Sequence, residues 1–250
     1  LGISLGAAGL LYACVPFGAA GESLAKTAAT VQAADARGLN AALNLQYLHA
    51  QFFAQVIGDH IPAAVLGGLG QPGLASGARR APLPDPSVSR RFAEIAEDKL
   101  RHVVALRQGL GEGAAAQPRI DLSPAAFALK ARAAGLVRAG ETFDPYASEE
   151  NVLRTAALLE EGGLEALRVT LPAITGGRER AALGGVLAGS TYHAGLARTL
   201  LHARGLGASL PEPDPRASAQ MMAASTRRFF PAGLNPSPAL ARFGPAADAG

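Results

Sequence analysis

Four stretches of this chain carry the same device, an apolar stripe at helical spacing broken at mid-height by polar side chains. In the first, Leu39, Leu43, Gln46, Ala50, Phe53 and Ile57 follow one another in steps of three and four, and only Gln46 is polar. Phe92, Ile95, Lys99, His102 and Leu106 make a second stripe with Lys99 and His102 at its centre. A third, Leu153, Ala156, Glu160, Gly163 and Leu167, is interrupted by Glu160, and a fourth, Leu183, Val186, Ser190, His193, Ala197 and Leu200, by Ser190 and His193. Such spacing gives each helix one buried face. Four of them with polar groups at one height predict a bundle built around an internal polar site.

The rest of the chain agrees with an all-α reading. Aromatics are 5 % of the 250 residues, Trp is absent, and alternating Val- and Thr-rich runs are scarce. That length can bury a sizeable core. A formal charge of +3, with no helix carrying a dense cationic face, argues against nucleic acid as a partner. The pairs Arg79-Arg80, Arg90-Arg91 and Arg227-Arg228 read as solvated charges in loops or at helix ends. Cys14 is the only cysteine, so neither an intrachain disulfide nor a cysteine-based metal site is expected.

Element boundaries follow from the punctuation. Glu22 to Ile57 reads as one long helix with Gly38 a weak point, and 58–84, rich in Gly and Pro, as a long loop packed over the bundle or functional. Asp85-Pro86 and Ser123-Pro124 are helix starts, a cap followed by Pro at the first helical position. The first of these helices is expected to reach about Gly109. The second is a shorter one within a crossover, running to about Ala139. Ser148 caps the next long helix, which Pro172 and Gly176-Gly177 end or bend, and the last runs from about Arg178 to Arg204 and stops at Gly205. Three segments result: an export signal or membrane anchor at 1–21, a bundle at 22–205, and a Pro/Ala/Gly-rich tail at 206–250 with at most one short helix near 217–225.

Residues 1–21 carry no charge and read as the apolar core of an export signal, with small residues at Gly18 and Ala20 to suit a signal peptidase. Their mild apolarity and glycine content resemble a twin-arginine signal, which implies a periplasmic or cell-envelope location. Two alternatives stay open: lipidation of Cys14 within the imperfect lipobox Leu11-Tyr12-Ala13-Cys14, and retention of residues 1–20 as a membrane anchor.

The local motifs carry a resemblance. Asn44-Leu45-Gln46-Tyr47-Leu48-His49-Ala50-Gln51-Phe52-Phe53, the run Glu94 to Val103, Phe143-Asp144-Pro145-Tyr146, Leu159-Glu160-Glu161 with Gly163, and Tyr192-His193-Ala194 with Arg198 occur in the order of a ferritin-like domain. The chain resembles the ferritin-like family that includes desiccation-related proteins and exported bacterial relatives. The resemblance covers roughly residues 25–205. It implies a ferritin-like four-helix bundle with a long crossover carrying a short helix, and an extended C-terminal tail. In that family the helices supply single Glu ligands and Glu-x-x-His pairs to two metal ions.

This chain departs from that pattern at the ligands. Gln46, His49 and Gln51 stand where the first helix would carry Glu, Lys99 where the second would, and Ser190 where the fourth would. His102, Glu160 and His193 remain. One Glu cannot balance two dications, and an ammonium at position 99 replaces a bridging carboxylate with a cation. A buried Lys99 requires a partner, and Glu160 is the expected one. Neither a di-iron oxidase nor a ferroxidase is therefore expected, and no cofactor. The main reading is a non-catalytic envelope protein, stress- or desiccation-related or structural, that binds a protein partner or its own copies. The alternative is a mononuclear site for iron, zinc or copper built from His102, Glu160 and His193, with His49 on the shoulder of the face. His60 and His202 are expected to be exposed, and Tyr47 and Tyr192 to be core packing. Ser190 with His193 lacks an orienting carboxylate for nucleophilic catalysis, and Gly67-Gly68-Leu69-Gly70 lacks the setting of a phosphate loop.

Overall fold

The computed structural model describes residues 19–138 and 140–206. The expected signal segment up to residue 18, with Cys14, and the tail from residue 207 lie outside them. Five α-helices occur among the described residues: α1 (Ala19–Ile57), α2 (Pro86–Leu110), α3 (Pro124–Ala133), α4 (Glu149–Thr170) and α5 (Gly177–His202). None is long and apolar enough to cross a membrane. α1 continues without a break through Gly38, which is there for packing, because a Cβ would overlap Ile174 Cδ1 at 2.8 Å.

α1, α2, α4 and α5 form the bundle. α1 packs on α2, α4 on α5, and the two pairs meet through α2 with α5 and α1 with α4. The α1–α2 contact runs antiparallel: Phe92 stacks on Phe53 at 5.4 Å near one end, His102 faces Gln46 in the middle, and Gly109 approaches Leu39 near the other. All four predicted stripes face inward, and only Ile57, His102 and Leu200 of their members are less than fully buried.

The caps predicted from sequence are formed. The Asp85 carboxylate accepts from the Ser87 amide at 2.8 Å, Ser123 accepts from the Ala126 amide, and Ser148 from the Asn151 amide. α3 is shorter than its sequence suggests. Gly135, at φ 69°, takes the left-handed position past the helix end while the Leu136 amide donates back to Ala131, and this glycine cap stops the helix six residues before Ala139. At the far end of α5 one guanidinium closes three elements. Arg204 contacts Asp85 at 2.6 Å and Glu149 at 2.9 Å, the starts of α2 and α4, and also donates to the Leu200 carbonyl.

The long loop is packed down. Strand β1 (Ala75–Ser76) pairs in parallel with β2 (Ile120–Asp121) of the crossover, and Leu69 bridges to Ala115. Gly73 allows this approach, since a Cβ there would overlap the Arg119 backbone. α1 holds the loops by its outward polar residues. Asn40 donates to the Gly113 carbonyl and accepts from the Ala115 amide, Tyr47 donates to the Val65 carbonyl at 2.6 Å, and Gln51 donates to Gln117, which donates onward to Gly73. Arg107 adds hydrogen bonds to Tyr47 and to the Gly67 carbonyl. Arg79 is more than a solvated charge: it pairs with Asp144 and its guanidinium lies over the Tyr146 ring at 5.4 Å.

Candidate functional site at the bundle centre

Each bundle helix brings its mid-height polar residue to one level. Lys99 of α2 and Glu160 of α4 meet across the bundle, Nζ to Oε2 at 2.6 Å, and both are fully buried. Ser190 of α5 sits 3.5 Å from the same ammonium, at the edge of hydrogen-bond reach. On α1, Gln46 turns its amide oxygen to His102 Nδ1 at 3.2 Å, and His49 places Nδ1 3.6 Å from Glu160 Oε1. His193 of α5 has its ring 5.7 Å from that of His102. The structure thus gathers Gln46, His49, Lys99, His102, Glu160, Ser190 and His193 in one place. Gln51 is elsewhere, facing the loops through Gln117.

Two glycines make room for the rings. A Cβ on Gly163 of α4 would run into His49 Cε1, and one on Gly189 of α5 would run into His102 Nε2. His49 therefore sits in the centre and not on the shoulder predicted for it. Tyr192 is a further correction. It is half exposed, its hydroxyl 3.5 Å from Glu94, because it precedes the inward His193 by one residue and so points about 100° away around the helix. Tyr47 is core, while His60 and His202 are exposed.

Asp98 belongs to the site and was not anticipated, and it corrects the expectation that His193 lacks an orienting carboxylate. Its Oδ2 lies 3.1 Å from His193 Nε2, and its other oxygen accepts from Arg101 at 2.7 Å. Burial works against ionisation of Asp98, but the hydrogen bonds from His193 and Arg101 outweigh it and hold the carboxyl below its usual value. An ionised carboxylate accepts only, so His193 carries its proton on Nε2 and turns a bare lone pair inward from Nδ1. The sequence signal for Asp98 was its position beside Lys99, on the flank of α2 that faces α5.

The electrostatics favour a single cation. Burial lowers the pKa of Lys99, and Glu160 acts in the opposite sense by its charge and hydrogen bond. Burial, then the Lys99 charge, holds all three central histidines below their ordinary value, with His102 down to about 3. At neutral pH the imidazoles are uncharged. Burial also lowers Lys130 of α3, half-buried near Glu161, to about 8.

Several atoms of this centre have no hydrogen-bond partner among the described residues. Gln46 Nε2, both nitrogens of His49, Glu160 Oε1 and His193 Nδ1 are all buried and unpaired. Such orphans are uncommon in folded interiors. No group of three or more His, Cys, Asp or Glu among the described residues is arranged to hold a metal ion.

Bundle, crossover and mid-height polar layer define a class of protein. A family model for the ferritin-like domain matches residues 34–203, and the chain belongs to that family. No curated protein and no solved structure matches it. The dinuclear metal centre implied by the family resemblance needs several carboxylates to balance its charge. Among the described residues Glu160 is the one fully buried carboxylate at this centre, with Asp98 only on its flank, and one oxygen of Glu160 is taken by the Lys99 ammonium. These residues do not fit such a centre.

Proposed function

We propose that this is an exported ferritin-like protein in which a buried ion pair stands in place of the dinuclear metal centre, leaving a scaffold used for binding or structure. The observation that carries the reading is the contact of Lys99 Nζ with Glu160 Oε2 at 2.6 Å in a fully buried setting. A metal ion next to that ammonium would face like-charge repulsion with little solvent to screen it. The uncharged segment 1–21 supports export to the cell envelope, and the family resemblance supports a stress- or desiccation-related role without oxidase or ferroxidase activity. Association with a protein partner or with further copies of the chain, and a membrane link through residues 1–20 or a lipid on Cys14, belong to the same proposal.

Elemental analysis of untagged protein from its native compartment tests it. The expected result is no stoichiometric transition metal. One equivalent of iron, zinc or copper, lost in His102→Ala, would replace this reading with a mononuclear site of His102, Glu160 and His193 with His49. Two equivalents would show that Lys99 and Gln46 are no barrier to a dinuclear centre. Conversely, Lys99→Glu removes the cation and adds a carboxylate, and is expected to introduce metal affinity measurable by titration calorimetry.

A further inference from the structure

We infer that the bundle centre holds at least one water molecule, bridging His49 and Glu160. This rests on the proposed loss of the metal centre. His49 Nδ1 and Glu160 Oε1 are 3.6 Å apart, too far for a sound direct hydrogen bond, and neither atom has another partner among the described residues. Glu160, His49, Gln46 and His193 are each at most 1 % exposed, so bulk solvent does not satisfy them. A buried polar atom left without a partner pays its full desolvation penalty.

The chemistry of the orphaned atoms selects the guest. Gln46 Nε2 donates only, and Glu160 Oε1 accepts. His193 Nδ1 accepts, because Asp98 fixes the proton on Nε2. Neutral His49 offers one donor and one acceptor. An anion would meet the carboxylate oxygen and the His193 lone pair. A cation would meet the Lys99 ammonium and the Gln46 amide protons. A neutral molecule that both donates and accepts suits every member of the set, and water is the smallest such molecule. A polar pocket offering two to four partners is the setting in which buried water is stable.

A crystal structure of the untagged chain, at a resolution that shows ordered water and with anomalous data at the iron, zinc and copper edges, tests this. Expected is non-anomalous density within about 3.2 Å of a His49 nitrogen and Glu160 Oε1. An anomalous peak on these residues overturns both this inference and the metal-free reading beneath it. A direct His49–Glu160 hydrogen bond with no density between them overturns the water alone. Oxygen-17 relaxation dispersion of the solvent gives a second readout. The number of long-lived waters should fall in His49→Leu, or in His49→Phe if the first variant does not fold. An unchanged number in the folded variant overturns the inference.

Discussion

Helix α1 has two polar surfaces, and they end differently. Outward, Asn40, Tyr47 and Gln51 face the loops and are satisfied by backbone groups of residues 65–73 and 113–117 and by the Gln117 side chain, while Asn44 Oδ1 alone on that face has no partner among the described residues. Inward, Gln46 and His49 face three other helices whose backbone groups are already spent on their own hydrogen bonds, and orphaned atoms remain. Irregular chain can be shaped to satisfy a polar side chain. A ring of helices offers only side chains, so a polar layer inside one closes only if the side-chain set is chosen as a whole.

The sharpest way to break this contrast is to remove one partner of the central ion pair. Glu160→Leu leaves the Lys99 ammonium buried and alone and should lower unfolding free energy by about 3–5 kcal/mol in urea denaturation. The double variant Lys99→Met/Glu160→Leu should recover most of that loss or exceed the parent by about 1–4 kcal/mol. A loss in the double variant as large as in the single one would mean that the pair does more than neutralise itself.

Acid should act on the inner layer next. His49, His102 and His193 have folded-state pKa values below the unfolded value of about 6.5, so the unfolded chain binds more protons in that range. Stability is therefore complete above about pH 6.5 and falls as the pH drops below it, by up to about 1.4 kcal/mol per pH unit for each neutral histidine. For His102 the fall continues to about pH 3. Midpoints measured between pH 7 and 5 should show this slope, and His102→Leu should flatten it.

The outer network should respond more gently. Gln117→Leu removes both a partner of Gln51 and the donor to Gly73, and is expected to cost about 1–3 kcal/mol. Its loss should show as faster amide exchange in 66–76 and 114–121 while the bundle helices stay protected. Equal loosening of the helices would mean that loop and bundle are one cooperative layer. Smallest of all, Arg101→Ala breaks exposed pairs with Glu97 and Asp98 and should shift stability by no more than about 1 kcal/mol.

The bundle was legible because burial imposes the helical period, and Leu39 through Leu200 obey it in all four stripes. Lys99 with Glu160 followed from charge: two lone charges at one height in an apolar interior have only each other. His49 was harder. A stripe counted in single residues is narrower than the true inward wedge of a helix, which at this height spans both Gln46 and His49 because Gly163 opposite has no side chain. Asp98 was hidden because it sits between two helices, a place that depends on how α2 and α5 are rotated. Tyr192 misled because its motif neighbour His193 points inward, and adjacent residues on a helix do not share a direction. The end of α3 turned on Gly135, which sequence shows as one glycine among 30.

Arg204 holds the ends of α2, α4 and α5 with one planar group. Helix termini ordinarily fray independently, each on its own clock. Here the last turn of α5 cannot unwind without releasing the first turns of two others. Amides at 87–89, 150–153 and 200–204 should therefore open as one event, and a deletion that removes Arg204 would turn one shared opening into three separate ones.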